Sequence, residues 1–400
     1  MPRRSRLHHA APGRTASAGL FAACLLAACL FKFGPVHAQV LGVAVDGKAR
    51  MVNGEVEILE TPAPDRVAFY DTAIEPWRPL GEAAVPISFQ GPPSSVAISQ
   101  DRREALVTAF TRADPARSNA FTANHTMAVI DLASTPMRAV QTLTLAAAPS
   151  SVTLHPDGRH AWVPHTGADS VSVLEKRADR WDVIDVVRFE AGSAPIAAGF
   201  STDGAHALLS LPGTGRIAWL SVAQGRPVLP AAHELSAGIG PTALSFCGDT
   251  GLAVVANYGK VTGDVDTISL IDTRGALPRV IDTASVGISP EGVACAPDGR
   301  HAAAALQNMS TVPRAHPLHS THSRLVVLAI ESGRLRPVAD AEFGGWAQGV
   351  GFLDDSRTVF AQSMNEHRVH VFRLEGEALT PRPDLSFKTG SPAAYGLSGR

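Results

Sequence analysis

PSSVTLHPDGRHAWVP, from Pro149 to Pro164, is one copy of a sixteen-residue phrase that recurs down the chain. Other copies are PSSVAISQDRREALVT from Pro93, PIAAGFSTDGAHALLS from Pro195, PTALSFCGDTGLAVVA from Pro241 and PEGVACAPDGRHAAAA from Pro290. A weaker copy, AQGVGFLDDSRTVFAQ, begins at Ala347, and successive starts are 56, 46, 46, 49 and 57 residues apart. Short apolar runs and tight turns at a period in the forties predict a propeller, because one such unit cannot bury its own face.

Within the unit, Ser151–His155 and Arg159–Pro164 place apolar residues at every second position, as a half-buried strand requires. Pro156-Asp157-Gly158-Arg159 between them is a tight turn, with an Asp that bonds its own backbone and a Gly that supplies positive φ. Ser170–Glu175 and Trp181–Phe189 complete four strands, the content of one blade. Equivalent third strands are expected at His125–Asp131, Thr267–Asp272, Arg324–Ala329 and Arg368–Phe372. The last opening phrase, Ser391–Leu397, has no strands after it. The expected fold is therefore all-β, a seven-bladed propeller of four-stranded antiparallel blades, with N- and C-terminal strands sharing one blade. In that blade, Met51–Asn53 reads as the second strand, after a turn at Asp46–Lys48, and Val67–Asp71 as the third. Closure of this kind removes exposed sheet edges.

Residues 1–38 read as an export signal and 39–400 as the single propeller domain. Arg3, Arg4, Arg6 and Arg14 precede an apolar run from Ala18 to Phe31, and Val36-His37-Ala38 offers a small-residue cleavage site. Leu26-Ala27-Ala28-Cys29 resembles a lipobox, which would instead leave a lipid anchor on Cys29. The Ala38 site is preferred, giving a periplasmic or secreted bacterial protein. The apolar run falls short of the roughly 20 residues of a membrane span. Cleavage removes five basic residues and no acidic one, leaving 30 basic against 37 acidic residues and a formal charge of −7. That balance argues against nucleic acid as a partner. Cys247 and Cys295 remain, one position out of step in neighbouring repeats, and are expected to be unbridged.

The long insertions 111–124, 257–266 and 307–323 join second to third strands, opposite the short Asp-Gly turns, and the connections between blades emerge on their side. Long loops on a rigid scaffold are where binding is expected. Repeat alignment puts His165, Asn257, Asn308 and Asn365 on the rim of that face, with Glu291 and Gln348 at the starts of inner strands. Such polar groups suit a small polar ligand or a cation with oxygen ligands. A run of histidines, His316, His319 and His322, with His125 as a neighbour, offers imidazoles to zinc or copper, although Pro313 and Pro317 make it a loop. No cofactor is otherwise expected. Haem-attachment, phosphate-loop, HExxH and GxSxG signatures are absent.

Val255-Ala256-Asn257-Tyr258-Gly259 followed by Thr267–Asp272 resembles the "YVTN…VSVID" phrase of the YVTN-type bacterial β-propellers, over residues 40–400. Asp157-Gly158-Arg159 and Val163–Val171 are similar to the lactonase (6-phosphogluconolactonase-like) branch. That resemblance implies the fold, and in the lactonase branch substrate-contacting His and Arg before the Asp-Gly turns. Here the matching stretches Ala148–Ser151 and Ala194–Ala197 carry neither. The expected function is accordingly a non-catalytic binding or scaffold propeller that uses its long-loop face. The alternative is a hydrolase of a sugar lactone or related ester at the channel mouth.

Overall fold

The computed structural model describes residues 39–89 and 91–399; the expected export signal and lipobox lie outside them. Strand accounts for 56% and helix for 2%, so the fold is all-β. Among the described residues no helix is long and apolar enough to cross a membrane.

Seven antiparallel sheets form the seven blades, and in blades two to seven the strands run from inner to outer in chain order. Blade three shows the pattern: Thr153–Leu154, His160–His165, Ser170–Arg177 and Arg180–Arg188. The third strands are longer than the sequence suggests, at Phe121–Asp131, Asp266–Asp272, His322–Glu331 and Arg368–Glu375. The insertion at 111–124 is a hairpin extension of its blade rather than a loose loop, since Thr111 pairs with Ala123.

Blade one is the shared blade. Ser391–Leu397 forms its inner strand and pairs with Val40–Asp46, from Leu41 opposite Leu397 to Asp46 opposite Ser391. Ser398 Oγ accepts from the Val40 amide at 2.9 Å, and Gln39 Nε2 donates to the Ser398 carbonyl at 3.2 Å. The second strand differs from expectation: it is Val40–Asp46, not Met51–Asn53. Residues Ala49–Val52 and Glu55–Ile58 form an extra hairpin between the second and third strands. The difference has a physical cause. Val40–Asp46 is buried at every position and shows no alternation, whereas the two-sided hairpin imitates it. The hairpin is tethered by Lys48, whose ammonium meets Asp46, Asp65 at 2.8 Å and the Ile87 carbonyl.

Tryptophans tie neighbouring blades. Trp181 is fully buried and donates its Nε1–H to Glu104 of blade two at 3.2 Å. Trp162, also fully buried, donates to the Gly225 carbonyl of blade four at 2.7 Å. Cys247 and Cys295 form a disulfide, with Cα atoms 4.9 Å apart, contrary to the sequence expectation. Strand alternation does not govern Cys247, which lies beyond its strand, Pro241–Phe246, where the chain is already turning. Its side chain is therefore released from the strand's two faces and meets Cys295 at the end of Pro290–Cys295.

Candidate functional site

The sequence-predicted rim residues do not converge. His165 is fully buried, its Nε2 2.7 Å from Ser172 Oγ and its Nδ1 3.3 Å from the Ala148 carbonyl. Burial lowers its pKa, so the neutral imidazole is part of the blade core. Asn257 is buried as well and donates to Thr267 Oγ1 at 2.9 Å and Ser269 Oγ at 3.0 Å. Both residues end a second strand, as aligned, but the side chains turn into the sheet rather than to the rim. Asn308 closes its own loop by donating to Ser320 Oγ and the His322 carbonyl.

Glu291 belongs to a different group. Its carboxylate accepts from Gln307 Nε2 at 3.0 Å, and Gln307 Oε1 accepts from the Tyr258 hydroxyl at 2.9 Å. Desolvation pushes the Glu291 pKa up to about 7, partly opposed by Tyr258. Gln348 is buried, with no hydrogen-bond partner for its Oε1 among the described residues. The inner strands offer mainly apolar side chains, with Ser94 and Tyr395 among them. A cavity of about 170 Å³ there is lined by Val96, Ala198, Leu244, Val293, Val350 and Leu397 among others.

His316 and His322 are exposed, and His319 turns its Nδ1 to the Val312 carbonyl at 3.0 Å. Among the described residues, the group of three metal-type donors within 4.8 Å of one another is a different one: His155, Asp157 and His160.

A second cavity, of about 290 Å³, opens on the long-loop face. It is lined by Arg50, Met51, Phe89, Arg314, Trp346, Met364, Asn365, His367 and Ser391. Asn365 is the one predicted rim residue that lines it. The extra hairpin of blade one supplies Arg50, the long loop of blade six supplies Arg314, and the 364–367 turn of blade seven supplies Asn365 and His367. Trp346 and Phe89 come from connections between blades and form the floor, edge to face.

Trp346 holds a position with φ of 57°, which neighbouring repeats give to Ala194, Gly240 and Ser289 at 53°, 62° and 54°. A bulky residue in the left-handed region is uncommon, and such residues cluster at functional sites. That exchange of a small residue for tryptophan was the sequence signal available for this site. The Trp346 amide donates to Ser310 Oγ at 2.8 Å, which holds the strained turn in place.

The electrostatics of the cavity are one-sided. Among the described residues no carboxylate lines it. Arg50 shares its charge with Glu57 at 3.1 Å, both well exposed. Among the described residues, the Arg314 guanidinium meets no carboxylate, while its backbone amide is fixed by Asn53 Oδ1 at 2.8 Å. His367 Nδ1 lies 2.9 Å from the Gly390 carbonyl and 3.0 Å from Ser391 Oγ. A carbonyl only accepts, so Nδ1 carries the proton and Ser391 is not activated by it. The His367 Nε2 is left with no hydrogen bond among the described residues.

No family model matches the chain, and no curated protein does. Solved structures do. A protein of Bacteroides fragilis described as a "putative 6-phosphogluconolactonase" matches with a TM-score of 0.67 at 15% identity, covering 91% of this chain and 99% of its own. One of Bacteroides uniformis with the same description gives 0.66 at 16%, covering 90% and 99%. The periplasmic gluconolactonase of Pseudomonas aeruginosa gives 0.64 at 19%, covering 90% and 99%. At these identities the likeness establishes the propeller fold alone.

Proposed function

We propose that this chain is an exported binding propeller that holds a small anionic ligand, a carboxylate or phosphate, in the long-loop cavity. One observation carries the reading: a cavity of about 290 Å³ lined by two guanidiniums, an imidazole and an amide, over an aromatic floor, with no carboxylate among the described residues. Guanidinium planes match carboxylate and phosphate oxygens, and aromatic faces accept the apolar faces of a sugar or ring. The ligand class is then a sugar acid or a similar small oxyanion. A thermal-shift comparison of gluconate and 6-phosphogluconate with glucose tests it. Stabilisation by the acids and none by the neutral sugar supports the reading, and equal responses to all three contradict it.

A second reading is lactone hydrolysis at the same cavity. It is favoured by the names of the gluconolactonase neighbours and by His367, whose Nε2, without a hydrogen bond among the described residues, would be the atom that takes a proton from water. Gluconolactone turnover above the spontaneous rate, lost in His367→Gln, would support it. Retained binding without turnover would favour the binding protein.

A further inference from the structure

On the opposite end of the strands, the Asp-Gly turn of blade three departs from its repeats. In blades two and four the residue opening the turn is a serine, and its hydroxyl donates to the turn aspartate. Ser99 Oγ lies 2.6 Å from Asp101 Oδ1, and Ser201 Oγ lies 2.6 Å from Asp203 Oδ1. Blade three has His155 at that position. Its Nε2 sits 2.9 Å from the Gly204 carbonyl of blade four and must carry the ring proton. Nδ1 therefore turns a lone pair toward Asp157 Oδ1, 3.1 Å away. The other carboxylate oxygen faces His160 Nδ1 at 2.6 Å. Here His160 Nδ1–H takes the place of the serine hydroxyl, and Oδ1 accepts from the Arg159 and His160 amides at 2.7 and 3.0 Å. Two imidazole nitrogens thus converge on one carboxylate, and a bound ion would displace the His160 Nδ1 proton.

We propose that His155, Asp157 and His160 form a binding site for a divalent transition metal, zinc foremost. Two imidazoles and a carboxylate are suited to zinc, and they leave a fourth position for water. Bonds of about 2.0–2.1 Å in a tetrahedron would space the donors about 3.3 Å apart. Asp157 now lies 3.1 and 2.6 Å from the two imidazoles, and all three donors fall within 4.8 Å of one another. On loading, the carboxylate, the most exposed of the three, would shift and loosen its bonds to the Arg159 and His160 amides. The Asp157 amide, 3.1 Å from His155 Nδ1, is the contact the ion would replace.

The imidazoles are fixed in advance. A Cβ on Gly204 would fall 2.6 Å from the His155 ring, and one on Gly225 would fall 2.1 Å from His160. Both glycines have positive φ and both belong to blade four, so each histidine is seated against a neighbouring blade. Phe200 packs edge to face on His155, with centroids 4.8 Å apart. Locked ligand rotamers are what a metal site needs, and an ion here would pin blade three to blade four through them.

The test is calorimetric titration of the tag-free, chelator-stripped full chain with zinc chloride. The expected result is one ion per chain, held equally by a His316→Gln, His319→Gln, His322→Gln triple variant. In His155→Gln with His160→Gln, affinity should fall about tenfold or more. Absorption of the cobalt(II)-loaded wild type provides a readout that needs no variant, and a tetrahedral visible band is expected. No binding at micromolar zinc, loss of binding in the loop variant, or a cobalt spectrum like that of the hydrated ion would overturn the proposal.

Discussion

Trp346 meets Phe89 edge to face, their ring centroids 4.9 Å apart and their planes at 87°. The contact joins the connection entering blade seven to the one leaving blade one, and so it sets the floor of the cavity lined by Arg50, Arg314 and His367. Trp346→Ala relieves no strain, because alanine keeps the left-handed turn while the floor is lost. Removing a buried tryptophan costs about 3–5 kcal/mol. Urea unfolding should show that loss of stability. Ligand affinity should also fall, whereas Phe121→Leu, behind the floor, should leave it nearly unchanged.

His165→Ala separates the core histidine from the site. The imidazole is enclosed and bonded to Ser172, so truncation leaves a cavity and an unpaired hydroxyl. A cost of about 2–4 kcal/mol is expected. Anion affinity, measured below the lowered melting temperature, should not change. A loss of affinity with full stability would return His165 to the rim.

The sequence made the repeat, the blade count and the closing strand Ser391–Leu397 legible, because each rests on local alternation and turn chemistry. It hid what depends on strand ends. Cys247 steps off its strand and bonds Cys295, and Val40–Asp46 lacks the polar face that marks a strand. The proposed cavity opens on the face where the insertions fall, and Asn365, a residue aligned from the repeats, lines it. Arg50 and Arg314 were not, because their convergence requires knowing that blades one, six and seven adjoin across the closure.

The Cys247–Cys295 bond closes 48 residues. In the chain-entropy account a loop of that length contributes about 4 kcal/mol. Non-reducing digestion should yield a linked peptide pair by mass spectrometry, and reduction should lower the melting temperature. Two alkylated cysteines in the unreduced protein would refute the bond.

Asp46 and Glu291 make stability fall as pH rises from about 4.5 to 7, while His165, held neutral by burial, acts in the opposite sense below about pH 6.5. Burial pushes Asp46 up to about 6 despite Lys48, and Glu291 up to about 7, both above their unfolded values. The folded state therefore holds protons that the unfolded chain has lost, and their contribution is present at low pH and lost through this window. Asp157 and Asp272, held down at about 2, contribute only to acid unfolding below about pH 4. Urea midpoints at pH 5 and 7.5 should differ in the wild type and differ less in Glu291→Gln. An unchanged difference would place the protons elsewhere.

The anion cavity is tested most directly by isothermal titration with gluconate or 6-phosphogluconate, comparing wild type with Arg314→Gln. Arg314 is an exposed loop residue with no ion pair among the described residues, so the variant should fold with stability within about 0.5 kcal/mol of wild type. Losing one charged hydrogen bond to the ligand corresponds to about 1.5–3 kcal/mol. The account predicts saturable binding to the wild type, weakened about tenfold or more in the variant and by added salt. Equal affinity in the two proteins, or binding indifferent to the ligand's charge, would contradict it.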